Sequence, residues 1–288
     1  MTGTNGTART DVRRTFDVYA DADTAAVLAT LPLSFRPVTV DRVPVRALSG
    51  SRGWVDTAAA AVQDGAVGLV VRHPAPADPA DVVALAELAG KHGTAVVLDS
   101  PWAGTPTSAR AAEALRDTAA SDPASAIECR LTLPTDHDLG QALLDQLALL
   151  RVLGNPADEI RTHLRTERGL LATATVGGRT GLLGTVLTDA LASTASVRLI
   201  GAGRAVHLQI PSWRTARPAL LTVTSPDGSH TWPTHYESPH RAAWRRLHRL
   251  LSVSESPGFE AAAIADLHAL AADLHTMGRA TTHHEGSP

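Results

Sequence analysis

The chain has 288 residues, room for one large domain or two ordinary ones, and 44% of them are apolar but only 3% aromatic, so Ala, Val and Leu must fill the interior. With 26 Lys and Arg against 29 Asp and Glu, the net charge is −3 and no basic run tracks a phosphate backbone, so nucleic acid is not an expected partner. The single Cys129 allows no internal disulfide, the polar opening MTGTNGTART lacks the apolar core of a secretory signal, and no apolar run approaches membrane-spanning length, which together predict a soluble, cytoplasmic protein with no membrane partner.

Residues 1 to 14 are Gly, Thr and Arg rich without periodicity and read as a disordered tail. From Thr15 the text alternates strand-like apolar runs with Ala-rich helical ones: TFDVYA, TAAVLATL, FRPVTV, VDTAAAAVQ, AVGLVV, PADVVALAELAGKHG and TAVVLD. That rhythm predicts a parallel sheet covered by helices over residues 15–122, with another helical stretch from about Thr107. The clearest helix is DVVALAELAGKHG, whose Val82, Val83, Leu85, Ala86 and Leu88 lie at helical spacing before a stop at Gly90 or Gly93. After Asp122 the rhythm changes. A strand AIECRLTL and a helix DLGQALLDQLALLRVLG precede the serial β segments EIRTHLRT, GLLATATV, GLLGTVLT, SVRLIG and AVHLQI, with glycine turns between them. Two helices, SPHRAAWRRLHRLLS and FEAAAIADLHALAADLHTM, close a second unit over residues 123–278, read as an antiparallel sheet with helices on one face. Residues 279–288 read as a second tail. The fold class is therefore α/β plus α+β.

The carboxyl ends of parallel strands are where ligands meet an open α/β sheet, which draws attention to Asp99 and Ser100 after TAVVL. Ser100 has no Gly-x-Ser-x-Gly elbow, and His92 is not positioned beside it by any readable rule, so a turn is the ordinary explanation. Asp138 and Asp145 stand two helical turns apart and share a face; they either line a polar substrate site or serve as a helix cap and a satisfied interface residue. Asp136, His137 and Asp138 are adjacent on one short turn without distant partners, and no His-Glu-x-x-His or paired-cysteine motif exists, so no metal is expected. Arg241, Arg245, Arg246 and Arg249 line one side of their helix, as a solvated face or a surface for an acidic partner.

From Val67 to Met277 the order of these segments resembles the glucose-fructose oxidoreductase, inositol dehydrogenase and MocA family (Gfo/Idh/MocA). AVGLVVRHPAPADPADVVALAELAGKHGTAVVLDSP is similar to the family's strand, helix and strand ending in Glu-Lys-Pro. DLGQALLDQLALLRVLG resembles its Asp-x-Gly-x-His-x-x-Asp helix, and TATVGGRTGLLGTVLTDALASTASVRLIGAGRAVHLQIP its sheet hairpins. The resemblance implies a Rossmann-like domain and hydride transfer between NAD or NADP and a sugar or cyclitol hydroxyl, assisted by a Lys and a His. Residue by residue the machinery is missing: the lysine position is Ser100 and the histidine position Ala142, while Asp138, Gly140 and Asp145 match. The phosphate-binding glycines are absent as well. Either TFDVYA is the first strand and Ala20 to Ala25 replace the glycine loop, with Asp23 capping the next helix, or DVYADADTAAVL is the second strand, with Asp21 at the ribose position and the first βα unit lost.

These readings predict a truncated or degenerate Rossmann-like domain and a family-like second domain, with no bound cofactor. Asp99, Ser100, Asp138 and Asp145 are the candidate substrate-binding residues, and Asp21 is the one cofactor candidate. The expected role is binding of a small, sugar-like polar molecule, or partnership as a homo-oligomer or with an intact homologue. The alternatives are an NAD(P)-dependent sugar or cyclitol oxidoreductase with a divergent site, and a cofactor-independent lyase or isomerase using carboxylates such as Asp99 and Asp138 as acid and base.

Overall fold

The computed structural model describes residues 15–40, 42–215, 217–233, 236–254 and 256–284. The amino-terminal half forms β1 (Phe16–Tyr19), α1 (Ala22–Leu28), β2 (Phe35–Val38), β3 (Val45–Ser49), α2 (Trp54–Gln63), β4 (Gly68–Arg72), α3 (Pro79–His92), β5 (Ala95–Asp99) and α4 (Thr107–Ser121). Then come β6 (Ala126–Leu133), α5 (Leu139–Val152), β7 (Ala157–Arg165), β8 (Gly169–Val176), β9 (Arg179–Leu187), β10 (Thr194–Ile200), β11 (Ala205–Pro211), β12 (Leu220–Ser225), β13 (Gly228–Thr231), α6 (Pro239–Ser252) and α7 (Phe259–His284). The predicted tail at 1–14 lies outside the described residues; of the one predicted over 279–288, residues 279–284 are corrected, because α7 continues to His284, and 285–288 lie outside the described residues.

The first sheet is wholly parallel, in the order β2-β1-β3-β4-β5. Its strands β4 and β5 are nearly continuous apolar runs because both faces are covered there. On one face Val70, Ala95 and Val97 pack against Trp244, Leu247 and Leu251 of α6; on the other Leu69, Val71 and Val96 pack with α2, α3 and α7. The strand β3 is absent from the sequence reading, since VRALS is short and carries Arg46 where a buried strand would be apolar. It lies beside β1 on the side opposite β2, so the chain reverses direction across the sheet between β1 and β3. That switch point opens a crevice at the carboxyl edge.

The second sheet has eight strands in the order β13-β12-β11-β10-β6-β9-β8-β7. Its pairs are antiparallel except β6 with β9, so the expected antiparallel sheet is a mixed one. Alternate residues such as Cys129, Leu131, Ala172, Leu183 and Val197 point into a core shared with α4 and α5. Of the closing helices, assigned by sequence to this second unit, α6 covers the first sheet, whereas α7 packs against α3 and β5 and continues along β7 of the second sheet, where Ala280 and Met277 join its core. The α7 helix also guards the edge strand β5: Asp266 accepts a hydrogen bond from the backbone N–H of Leu98 at 2.9 Å and is gripped by Arg246 at 2.6 and 2.9 Å.

Candidate active site in the cleft between the sheets

A cleft of about 900 Å³ opens at the carboxyl ends of β1, β3, β4 and β5 and is closed on its far side by the loops after β6 and β11. At its centre stands Asp99, the last residue of β5 and only 2% exposed. Its Oδ2 lies 2.6 Å from Nδ1 of His240, which the first turn of α6 delivers from 141 residues further along the chain. The histidine is itself buried, and Ser238 caps its helix by accepting from the N–H of Arg241. With Nδ1 engaged by the carboxylate, the imidazole keeps its Nε2 for the cleft. The other carboxylate oxygen, Oδ1, is buried without a protein partner.

Two rings frame this pair. Trp213, in the turn after β11, meets His240 edge to face with centroids 4.6 Å apart, and the guanidinium of Arg214 lies 5.2 Å from the indole centroid. His73 follows β4, with its ring 5.3 Å from that of His240 and its backbone N–H bonded to the carbonyl of Asp99 at 3.0 Å. It holds a left-handed backbone (φ 51°), an uncommon conformation for a residue with a side chain. Burial, outweighing the attraction of Asp99, pushes the His73 imidazole down to about 4, so it is neutral at pH 7.

On the opposite wall α5 presents Asp145, 7% exposed, whose carboxyl is pushed up to about 7 by burial despite a 3.2 Å hydrogen bond from Gln141 Nε2. Asp136 and His137 stand at the mouth, 3.2 Å apart. Of the residues singled out by sequence, Asp99 and Asp145 thus share the cleft. Ser100 turns away into a smaller neighbouring pocket, with its hydroxyl buried and unpartnered. Asp138 is exposed, and its carboxylate accepts from the N–H of Gln141 at 2.8 Å as the N-cap of α5. Ala142 is fully buried in the core under the second sheet rather than facing the cleft. His92 ends α3, exposed, at the amino edge of the sheet. His73, Trp213 and His240 were not read as site residues. A position just past a strand's carboxyl end pointed to His73; nothing local pointed to the others. Among the described residues no cluster of His, Cys, Asp or Glu could hold a metal ion, and no helix is long and apolar enough to cross a membrane.

The resemblance implies a dinucleotide, which needs free backbone N–H groups and room for a pyrophosphate at a strand-to-helix turn. At the β1 turn Asp21, not Asp23 as expected, caps α1 by accepting from Thr24 N–H at 2.8 Å, and its second oxygen holds Arg72 at 2.7 Å. That carboxylate occupies one N–H of the turn, that of Thr24, and the Arg72 cation that a phosphate would use. The sequence reading found no glycine cradle; the structure has a glycine pair, Gly50 and Gly53, in the turn between β3 and α2. Gly50, however, is needed for packing, since a Cβ there would lie 2.5 Å from the carbonyls of Arg72 and His73. The residues at the β1 turn do not fit a pyrophosphate bound in the Rossmann manner, whereas at the β3–α2 turn Gly53 caps α2 without a side-chain hydrogen bond and leaves its first N–H groups uncapped by any side chain.

No protein-family model and no curated protein matches the sequence. Solved structures match its shape. An oxidoreductase from Sinorhizobium meliloti aligns over 94% of this chain and 98% of its own, with a TM-score of 0.69 and 11% identity. The UDP-N-acetylglucosamine 3-dehydrogenase from Acidithiobacillus ferrooxidans aligns over 93% and 97%, with a TM-score of 0.63 and 14% identity. An inositol dehydrogenase homolog from Azotobacter vinelandii, solved with NADH and myo-inositol, aligns over 85% and 76%, with a TM-score of 0.60 and 12% identity. A parallel sheet followed by an open eight-stranded sheet, matched nearly end to end, gives this chain the two-domain fold of the Gfo/Idh/MocA-type oxidoreductases.

Proposed function

We propose that the chain is a proton-transfer enzyme, an isomerase or lyase acting on a small polar molecule in the cleft, and that it works without a dinucleotide. The observation that carries this reading is the buried Asp99–His240 pair. Asp99 accepts the Nδ1 proton, which selects the tautomer whose Nε2 lone pair is free, and supplies a counter-charge when Nε2 takes a proton from a substrate C–H beside a carbonyl. Asp145, divided between its two protonation states near pH 7, is suited to hand a proton to an oxygen of the same substrate. Neutral His73 offers a hydrogen bond to a substrate oxygen, and Trp213 supplies an apolar wall against which a ring can lie.

The experiment is incubation with aldoses, ketoses, cyclitols and their keto derivatives in deuterated water, with carbon-bound deuterium and dehydration products followed by NMR. Exchange is expected for the wild type and should fall at least about a hundredfold in His240→Ala and Asp99→Asn. Saturable binding of a panel member without exchange would return the chain to the non-catalytic ligand-binding role expected from sequence. A second reading, a nicotinamide-dependent oxidoreductase, draws on the continuation of the cleft past Ser49 and Ser51 to α1. NADH or NADPH binding with a Kd below about 100 µM, measured by fluorescence, would favour it over proton transfer alone.

A further inference from the structure

A second cavity lies behind the cleft, between the end of β5, α5 and α7, with a volume of about 140 Å³. Its walls are mostly apolar, formed by Leu98, Leu144, Ala148 and Leu270. Besides Gln141 and the ion-paired side chains at its rim, two polar groups enter it. One is the Ser100 hydroxyl, buried without a hydrogen-bond partner; the other is the Asp145 carboxyl, whose one protein partner is Gln141. A buried hydroxyl left unpaired costs stability and is ordinarily matched by a ligand or water. The cationic rim is already spoken for. Arg151 is paired with Asp273 and Arg246 with Asp266, and these ties brace α5 and α6 against α7.

This combination selects a ligand. An apolar cavity of about 150 Å³ in a protein interior accommodates benzene, so the volume here suits one six-membered ring. An anionic ligand meets the Asp145 carboxyl with no free guanidinium to offset it. A ligand hydroxyl can donate to Asp145 while accepting from Ser100, satisfying both. We infer that the cavity is a binding site for a small neutral ring alcohol, phenol-sized, held by Ser100 and Asp145 and seated against Ala148 and Leu270. Because Asp145 and Gln141 line both cavities, such a ligand shares a carboxyl with whatever occupies the cleft.

The test is an NMR titration of the full chain with phenol, cyclohexanol, benzene and benzoate. Phenol and cyclohexanol are expected to shift the backbone signals of Ala148, Leu270 and Ser100 saturably, benzene to bind about tenfold more weakly, and benzoate not to bind. Ser100→Ala should weaken phenol binding about tenfold, and Ala148→Phe, which fills the cavity, should abolish it. The inference is overturned if phenol gives no saturable shift, if its shifts fall on His73 and Trp213 instead, or if benzoate binds as well as phenol. Unchanged binding in Ser100→Ala would also overturn it, and this variant decides the matter should Ala148→Phe not fold. Loss of the deuterium exchange described above would leave these outcomes unaffected, so the two readings fail separately.

Discussion

Replacing Asp145 with Asn should make the protein more stable at alkaline than at acid pH relative to wild type, because the native state holds this carboxyl's proton far more tightly than the unfolded chain does. Its ordinary value of 3.8 is pushed up to about 7 by burial. Between those values the folded protein binds the extra proton, so this group's contribution is largest below about 4, declines as pH rises, and is gone above about 7. Each unit is about 1.4 kcal/mol, so the whole interval amounts to about 4 kcal/mol and the part between pH 5 and pH 8 to about 2 to 3 kcal/mol. Asparagine has nearly the same shape, can keep the bond from Gln141, and does not titrate. Urea denaturation at both pH values gives the stability of each protein. Other titrating groups, His73 among them, cancel in the difference between variant and wild type. The expected result is a variant-minus-wild-type gap about 2 to 3 kcal/mol more favourable at pH 8 than at pH 5. An equal gap at the two pH values would refute the burial argument and with it the assignment of Asp145 as the acid.

Gly50→Ala should cost about 3 kcal/mol or prevent folding, since the new Cβ would strike the backbone of β4 at 2.5 Å; a melting temperature within a degree or two of wild type would contradict this. The double variant Ser100→Lys with Ala142→His should show no NAD-dependent oxidation of any polyol, assayed by NADH absorbance, and should be destabilised because Ala142 is enclosed in the core. Cys129, its thiol pushed up to about 12 by burial, should resist a thiol reagent at pH 8 in the native protein and react fully in urea. The outer face of the second sheet exposes Leu171, Val186 and Ile200, and we expect it to pair with a second copy; sedimentation showing only monomer at tens of micromolar would argue against that.

The sequence alone determined the local chemistry. Period-two and period-3.6 patterns marked most strands and helices, and Asp78 with Pro79 and Gly93 bounded α3 where capping preferences require. The order of segments led to the fold that the solved structures share. Tertiary structure decided the site. Strand order is set by which edges pair, so nothing local in VRALS announced that β3 would sit beside β1 and open the crevice there. Helix phase is just as unforgiving: consecutive residues point about 100° apart, so aligning α5 by its motif selected Ala142, which faces the core, while Gln141 and Asp145 face the cleft. The Asp99–His240 pair joins residues 141 apart in the chain, and its partners meet only because α6 leaves the second sheet to pack on the first. Burying Trp244, Leu247 and Leu251 against that sheet is what carries the histidine to the carboxylate, a contact specified by packing rather than by any pattern near either residue.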